Sequence, residues 1–150
     1  LSVPLRADGT LDEKEEKILI EFGDWMTINK ESILNTRPWV IFGEGPIAEK
    51  TIALKDAGFN EWEYAQATSQ EIRFTQNKEY LYAIVLAWPQ EKQIIIKSLS
   101  EGKGTSSRKI KCIELLGYGR VAFKQTAQGT VITLPNNKPN VISPVFKIRR

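Results

Sequence analysis

The sequence predicts a mainly β fold, an antiparallel β-sandwich of about seven to eight strands preceded by one amphipathic helix. Three observations carry that expectation. From position 71 onward, short runs rich in β-branched and aromatic residues recur, each bounded by turn residues. One earlier stretch, 12–29, carries a helical period instead. Charge also changes sign near position 36. Residues 1–36 hold four basic and eight acidic side chains, net −4, whereas 37–150 hold 17 and ten, net +7. That step divides the chain into two differently built parts, 1–36 and 37–150.

Taken in order, Leu1-Ser2-Val3 followed by Pro4 reads as the end of a buried strand, and Asp8-Gly9 as a turn. In the helix, Asp12 can cap, Glu15 can complete a capping box, and Glu13 and Glu16 suit the positive helix start. Ile18, Leu19, Phe22, Trp25 and Met26 form one apolar stripe. Burying all five would contribute about 8–15 kcal/mol, so the helix is expected to lie against something large. Pro38 pushes Arg37 towards extended geometry and ends the helical region. Val40-Ile41-Phe42 can form a short strand, and 47–70 reads as an irregular loop. Strands are expected at 71–76, 79–88, 92–99, 109–116, 120–126, 129–135 and 141–149. The run 79–88 is apolar on both faces and is therefore expected at the centre of a sheet.

Composition removes whole classes of chemistry. The 150 residues contain no histidine and one cysteine, Cys112. A His-assisted nucleophile, a zinc site built from His and Cys, and an intrachain disulfide are thus excluded within the sequence. Cys112, flanked by Ile110, Ile113 and Leu115, is expected to be a buried structural thiol. No apolar run approaches the roughly 20 residues of a membrane span. Leu1 to Arg6 lack the pattern of a signal peptide. Only Arg108-Lys109-x-Lys111 and Lys147-x-Arg149-Arg150 are locally dense in cations, so solvated strand faces, not nucleic-acid binding, are expected.

The remaining candidates are weighed against plainer readings. Gly43-Glu44-Gly45 lacks the lysine and the strand–loop–helix context of a phosphate loop and reads as a turn. The acidic residues 8–16 are explained by capping and the helix dipole, not by acid–base catalysis. Trp88, ending the most apolar strand, is expected in the core. Trp62 and Tyr64 have no periodic reason to be buried; they either anchor a loop or stack on a sugar ring. No catalytic group, metal ligand set or cofactor site is expected.

Several strings taken together are distinctive. They are Leu1-Ser2-Val3-Pro4-Leu5-Arg6-Ala7-Asp8-Gly9-Thr10, Gly23-Asp24-Trp25-Met26, Asn29-Lys30-Glu31-Ser32-Ile33 and Asn35-Thr36-Arg37-Pro38-Trp39. In order and spacing they resemble the end of the catalytic domain of α-L-fucosidases of glycoside hydrolase family 29. Gly43-Glu44-Gly45-Pro46, Glu71 to Thr75 and Leu81 to Pro89 resemble the start of that family's C-terminal β-sandwich, and Lys111 to Gly117 and Val131 to Pro135 continue it.

The resemblance implies that residues 1–36 are the last strand end and last helix of a (β/α)8-type barrel, with 37–150 the sandwich behind it. It implies a parent enzyme that removes terminal α-L-fucose with retention, through an Asp nucleophile and a separate acid/base, and that is periplasmic or secreted. Neither catalytic position of the family maps onto this sequence, and its substrate-binding histidines have no counterpart here. Barrel active sites lie at the C-terminal ends of strands. Arg6, just after the implied last strand, is therefore either a pocket-rim group or a surface, ion-pairing arginine. The chain reads as an inactive C-terminal fragment with a supporting role, its partners being the catalytic barrel and, through it, fucosylated glycans. The alternative is a carbohydrate-binding sandwich acting through Trp62 and Tyr64. Detached from a barrel, the helix stripe must fold onto the sandwich or self-associate.

Overall fold

A computed structural model describes residues 3–50, 67–102 and 108–150. Its architecture is mainly β. Helix α1 (Glu13–Asn29) is followed by strand β1 (Arg37–Glu44) and a one-turn helix α2 (Pro46–Lys50). Then come β2 (Ile72–Gln76), β3 (Tyr80–Val85), β4 (Gln93–Ile96), β5 (Cys112–Leu115), β6 (Gly119–Arg120), β7 (Phe123–Thr126), β8 (Gly129–Thr133) and β9 (Val145–Arg149). All pairings are antiparallel. They build a six-stranded sheet in the order β1-β2-β3-β9-β5-β6 and a three-stranded sheet in the order β4-β8-β7.

Alternation along the strands makes the core. Phe74, Leu81, Ala83, Ile113, Leu115, Phe146 and Ile148 point inward from the larger sheet and meet Ile94, Ile96 and Ile132 from the smaller one. As expected, β3 is central and buried on both faces. Its odd-numbered residues enter this core. Tyr82 and Ile84 face the opposite side, where α1 covers them.

Five expectations are corrected. The run 120–126 is two strands, because the chain changes sheets within it. β6 pairs with β5 in one sheet and β7 with β8 in the other. At the crossover, Val121 N–H donates to Ile113 O at 3.1 Å and Ala122 O accepts from Thr133 N–H at 2.9 Å. Of the loop expected at 47–70, the start is helical, because Glu71 caps it. The Glu71 carboxylate, 1% exposed, accepts from Ile47 N–H at 2.6 Å and Ala48 N–H at 3.3 Å and pairs with Arg73 at 3.2 Å. This cap also explains Gly45, whose φ is +119° and where a Cβ would lie 2.7 Å from the Glu71 carboxylate. Gly43 and Glu44 are the paired end of β1, not a turn, and the chain bends only at Gly45. Cys112 is not fully buried but half-buried, since Ile113 and Leu115 take the inward positions of β5. Trp88 lies beyond the end of β3 and only half-buries against the core, with Lys138 over its ring at 5.2 Å.

Candidate functional site: the two faces of helix α1

Helix α1 carries apolar surface both towards the sandwich and away from it. Asp12 is its N-cap, accepting from Lys14 N–H at 3.0 Å. Among the described residues no bond returns from Glu15 to Asp12, so the expected capping box is only half made. Nor is the stripe buried as a unit. Trp25 is 8% exposed, while Ile18 is 58% and Phe22 45% exposed. Leu19 and Met26 are intermediate.

The buried half docks on the outer face of the six-stranded sheet. Trp25 packs with Tyr82, Ile84, Leu116 and Val145, joined at the edge by Met26 and Ile28. Its indole N–H donates to Ser143 O and Ser143 Oγ, both at 3.2 Å, so the ring is buried without an orphan donor. Gly117, with φ +80°, lets the β5–β6 turn approach; a Cβ there would lie 2.7 Å from Ile28 Cγ2.

A polar cluster fastens the end of the helix. Glu31 Oε2 accepts from the Tyr82 hydroxyl at 3.0 Å and from Lys147 Nζ at 2.7 Å. Asn77 Nδ2 donates to the same hydroxyl at 3.2 Å. The Thr75 hydroxyl donates to Ser32 O, tying the turn after α1 to β2. Burial, and then the neighbouring Glu31 carboxylate, push the Tyr82 phenol well above its ordinary value. For Lys147, burial alone would depress the ammonium, but the hydrogen bond and charge of Glu31 outweigh it and hold it above its usual range. Sequence patterning does not find this cluster. Glu31, Tyr82 and Lys147 lie far apart in the chain, and only strand register joins them.

The free half of α1 presents Ile18, Ile20 and Phe22 outward. Beside the docked half, between the helix and the segment 139–142, runs a groove of about 420 Å³ lined by Asp24, Trp25, Ile28, Pro139 and Val141, with Glu21 at its end. Arg6 sits at the start of the free half and pairs with Asp12 at 2.9 Å, both side chains about half exposed. Trp62 and Tyr64 lie outside the described residues.

Three carboxylates are engaged within the fold: Glu71 by α2 and Arg73, Glu31 by Tyr82 and Lys147, and Glu44 by Lys97 N–H and the Ser98 amide and hydroxyl. Among the described residues, no group of three or more His, Cys, Asp or Glu could hold a metal ion. None of their helices is long and apolar enough to cross a membrane.

Comparison with known proteins agrees with the motif order. The mouse protein named tissue α-L-fucosidase is 26% identical over 147 residues, covering 97% of this chain. A crystal structure of Thermotoga maritima α-fucosidase with a mechanism-based inhibitor superposes on all of this chain with a TM-score of 0.67 at 21% identity. The same bacterial protein in complex with fucose gives 0.65 over 99% of the chain, again at 21% identity. These likenesses establish the fold. The chain spans only 26% of the mouse protein and 30% and 29% of the two bacterial chains. The α-L-fucosidase C-terminal domain matches residues 65–149, from ahead of β2 to the end of β9. With that match over more than half its length, and the sandwich built as described, the chain belongs to the α-L-fucosidase C-terminal domain family.

Proposed function

We propose that this chain is the C-terminal part of a retaining α-L-fucosidase, that it carries no catalytic group, and that it braces the catalytic barrel through α1. The observation that carries this reading is the split helix. One half is fixed to the sandwich by Trp25 and the Glu31 cluster, and the other half offers Ile18 and Phe22 to a surface outside the chain. A barrel seated there would cover that half and hold the sandwich as a rigid buttress. The two carboxyl groups, about 5–5.5 Å apart in a retaining enzyme, would then come from the barrel.

In this reading the parent acts on glycans ending in α-L-fucose. Arg6, at the barrel end of the chain, and Trp62 and Tyr64 are the positions where this part would meet substrate. The test is hydrolysis of an aryl α-L-fucoside. The parent enzyme hydrolyses it, and the purified 150-residue chain does not. Turnover by the isolated chain, free of contaminating enzyme, would overturn the assignment of catalysis to the barrel. In the parent, Trp62→Ala and Arg6→Ala should raise KM for a branched fucosylated oligosaccharide more than for the aryl fucoside. Equal effects on both would remove these residues from the binding role.

A further inference from the structure

The two cation-dense segments, dispersed in sequence, are brought together by folding. β5 and β9 run antiparallel with Cys112 opposite Arg149, so Arg108, Lys109 and Lys111 arrive beside Arg149 and Arg150. Lys111 N–H donates to Arg149 O at 2.8 Å and Lys111 Nζ to Arg150 O at 3.3 Å. The register continues the row: Arg149 lies opposite Tyr80 at the start of β3, and Arg37 opposite Gln76 at the end of β2. One end of the six-stranded sheet, spanning β1 to β5 over about 19 Å of strand spacing, is thus rimmed with positive charge.

The rim is left uncompensated. Among the described residues, none of these six cations is in an ion pair, although Lys147, two residues in from Arg149, is paired with Glu31. In the β2–β3 turn, Lys78 and Glu79 offset each other. Arg150 lies over the Trp39 ring at 5.1 Å. Burial, and then the like charge of Arg108, hold its guanidinium below its usual value. Crowding like charges costs stability that no ion pair among the described residues offsets, and an anion laid along the rim would offset it.

We propose that this rim binds an anionic glycan, a sugar chain carrying sulfate or carboxylate groups, which guanidinium and ammonium groups accept in charge-assisted hydrogen bonds. The choice of a glycan over nucleic acid rests on the fucosidase reading and on the aromatics. Trp39 is buried beneath Arg150, and the Tyr80 ring is covered by Lys147 at 4.3 Å, so among the described residues these two rings at the rim offer no open platform on which bases could stack.

The experiment measures binding of the 150-residue chain to dextran sulfate, polygalacturonate, neutral dextran, double-stranded DNA and phosphatidylserine vesicles across a salt series. The expected result is salt-sensitive binding to one or both anionic glycans and none to neutral dextran. The variant Arg108→Ser/Lys111→Ser/Arg149→Ser should weaken binding at least roughly tenfold and flatten the salt dependence. The charge-matched control Lys14→Ser/Lys92→Ser/Arg120→Ser should change it by less than about threefold. Lys109→Glu, outside any strand, reports the same loss should the triple variant fail to fold. Whether dextran sulfate or polygalacturonate binds more tightly supports the proposal equally and names the anionic group. Equal losses in the two triple variants, absence of glycan binding, or tighter binding to DNA or vesicles overturns it. Failure of the fucosidase reading is a separate result: a parent that does not hydrolyse the aryl fucoside, whatever the rim binds.

Discussion

The two halves of α1 have similar apolar content and opposite fates. Residues 23–29 lie on the sheet, with Trp25 hydrogen-bonded and nearly covered. Residues 13–22 carry Ile18, Ile20 and Phe22 outward. Both halves obey the same helical period, so period alone says that a face must be covered and not by what. The difference lies in what the second half finds within the chain. It has a matching pocket in Tyr82, Ile84, Leu116 and Val145 and a polar clasp at Glu31. The first half has only its own cap.

The largest effect expected from this contrast is Trp25→Ala, which should cost about 3–5 kcal/mol through the cavity and lost transfer energy. Chemical denaturation of the isolated chain measures it. The same truncation at Phe22 should cost less than about 1.5 kcal/mol, the worth of its ring contact with Trp25 at 6.5 Å. Comparable losses at the two sites would mean that both halves are docked in solution.

The clasp should give the buried half an alkaline limit. Tyr82 and Lys147 both hold their protons more tightly in the folded chain than in the unfolded one. The folded state therefore binds more protons above about pH 10, and stability falls as pH rises through that region. Lys147 contributes fully below its unfolded value and loses that contribution as pH passes its folded one. Denaturation midpoints at about pH 8 and 11 should separate clearly for the wild type and draw closer in Tyr82→Phe, which keeps the ring and removes the ionisable hydroxyl while Lys147 stays paired with Glu31. An unchanged pH dependence in that variant would place the alkaline sensitivity elsewhere.

The free half should make the isolated chain stick to itself. Sedimentation should show association rising with concentration, and Ile18→Ser/Phe22→Ser should abolish it with a stability loss no larger than that of Phe22→Ala. A wild-type chain that stays monomeric at high concentration would show that this face finds a cover within the chain.

Much of the sandwich was legible because strands advertise themselves by alternation and turn residues. β3 was placed at the centre from its two-sided apolar pattern alone. Failures came where tertiary pairing decides. The 120–126 run looks continuous, yet Val121 and Ala122 hydrogen-bond to different sheets. Cys112 looked buried because its neighbours are apolar, but a one-residue phase fixes the outward face of β5. The Glu71 cap and the Glu31–Tyr82–Lys147 clasp join residues with no common period. The ordered motifs point to the family, but they do not say which half of α1 the sandwich covers.

The smallest effect belongs to the first turn of the free half. The Asp12 carboxyl is held below its ordinary range by Lys14 N–H and then by Arg6. A depressed folded value means that the cap is complete at neutral pH and is lost as pH falls below about 4 towards that value. Amide hydrogen exchange in the first turn of α1 should quicken over that acid range, while amides near Trp25 stay protected. Arg6→Ala removes the second of the two causes, so fraying should begin at a slightly higher pH with only a marginal change in melting temperature, because the pair is half exposed. Acid fraying that spreads into residues 23–29 would break the division of the helix, since it would make the cap, and not the sandwich, what holds the second half.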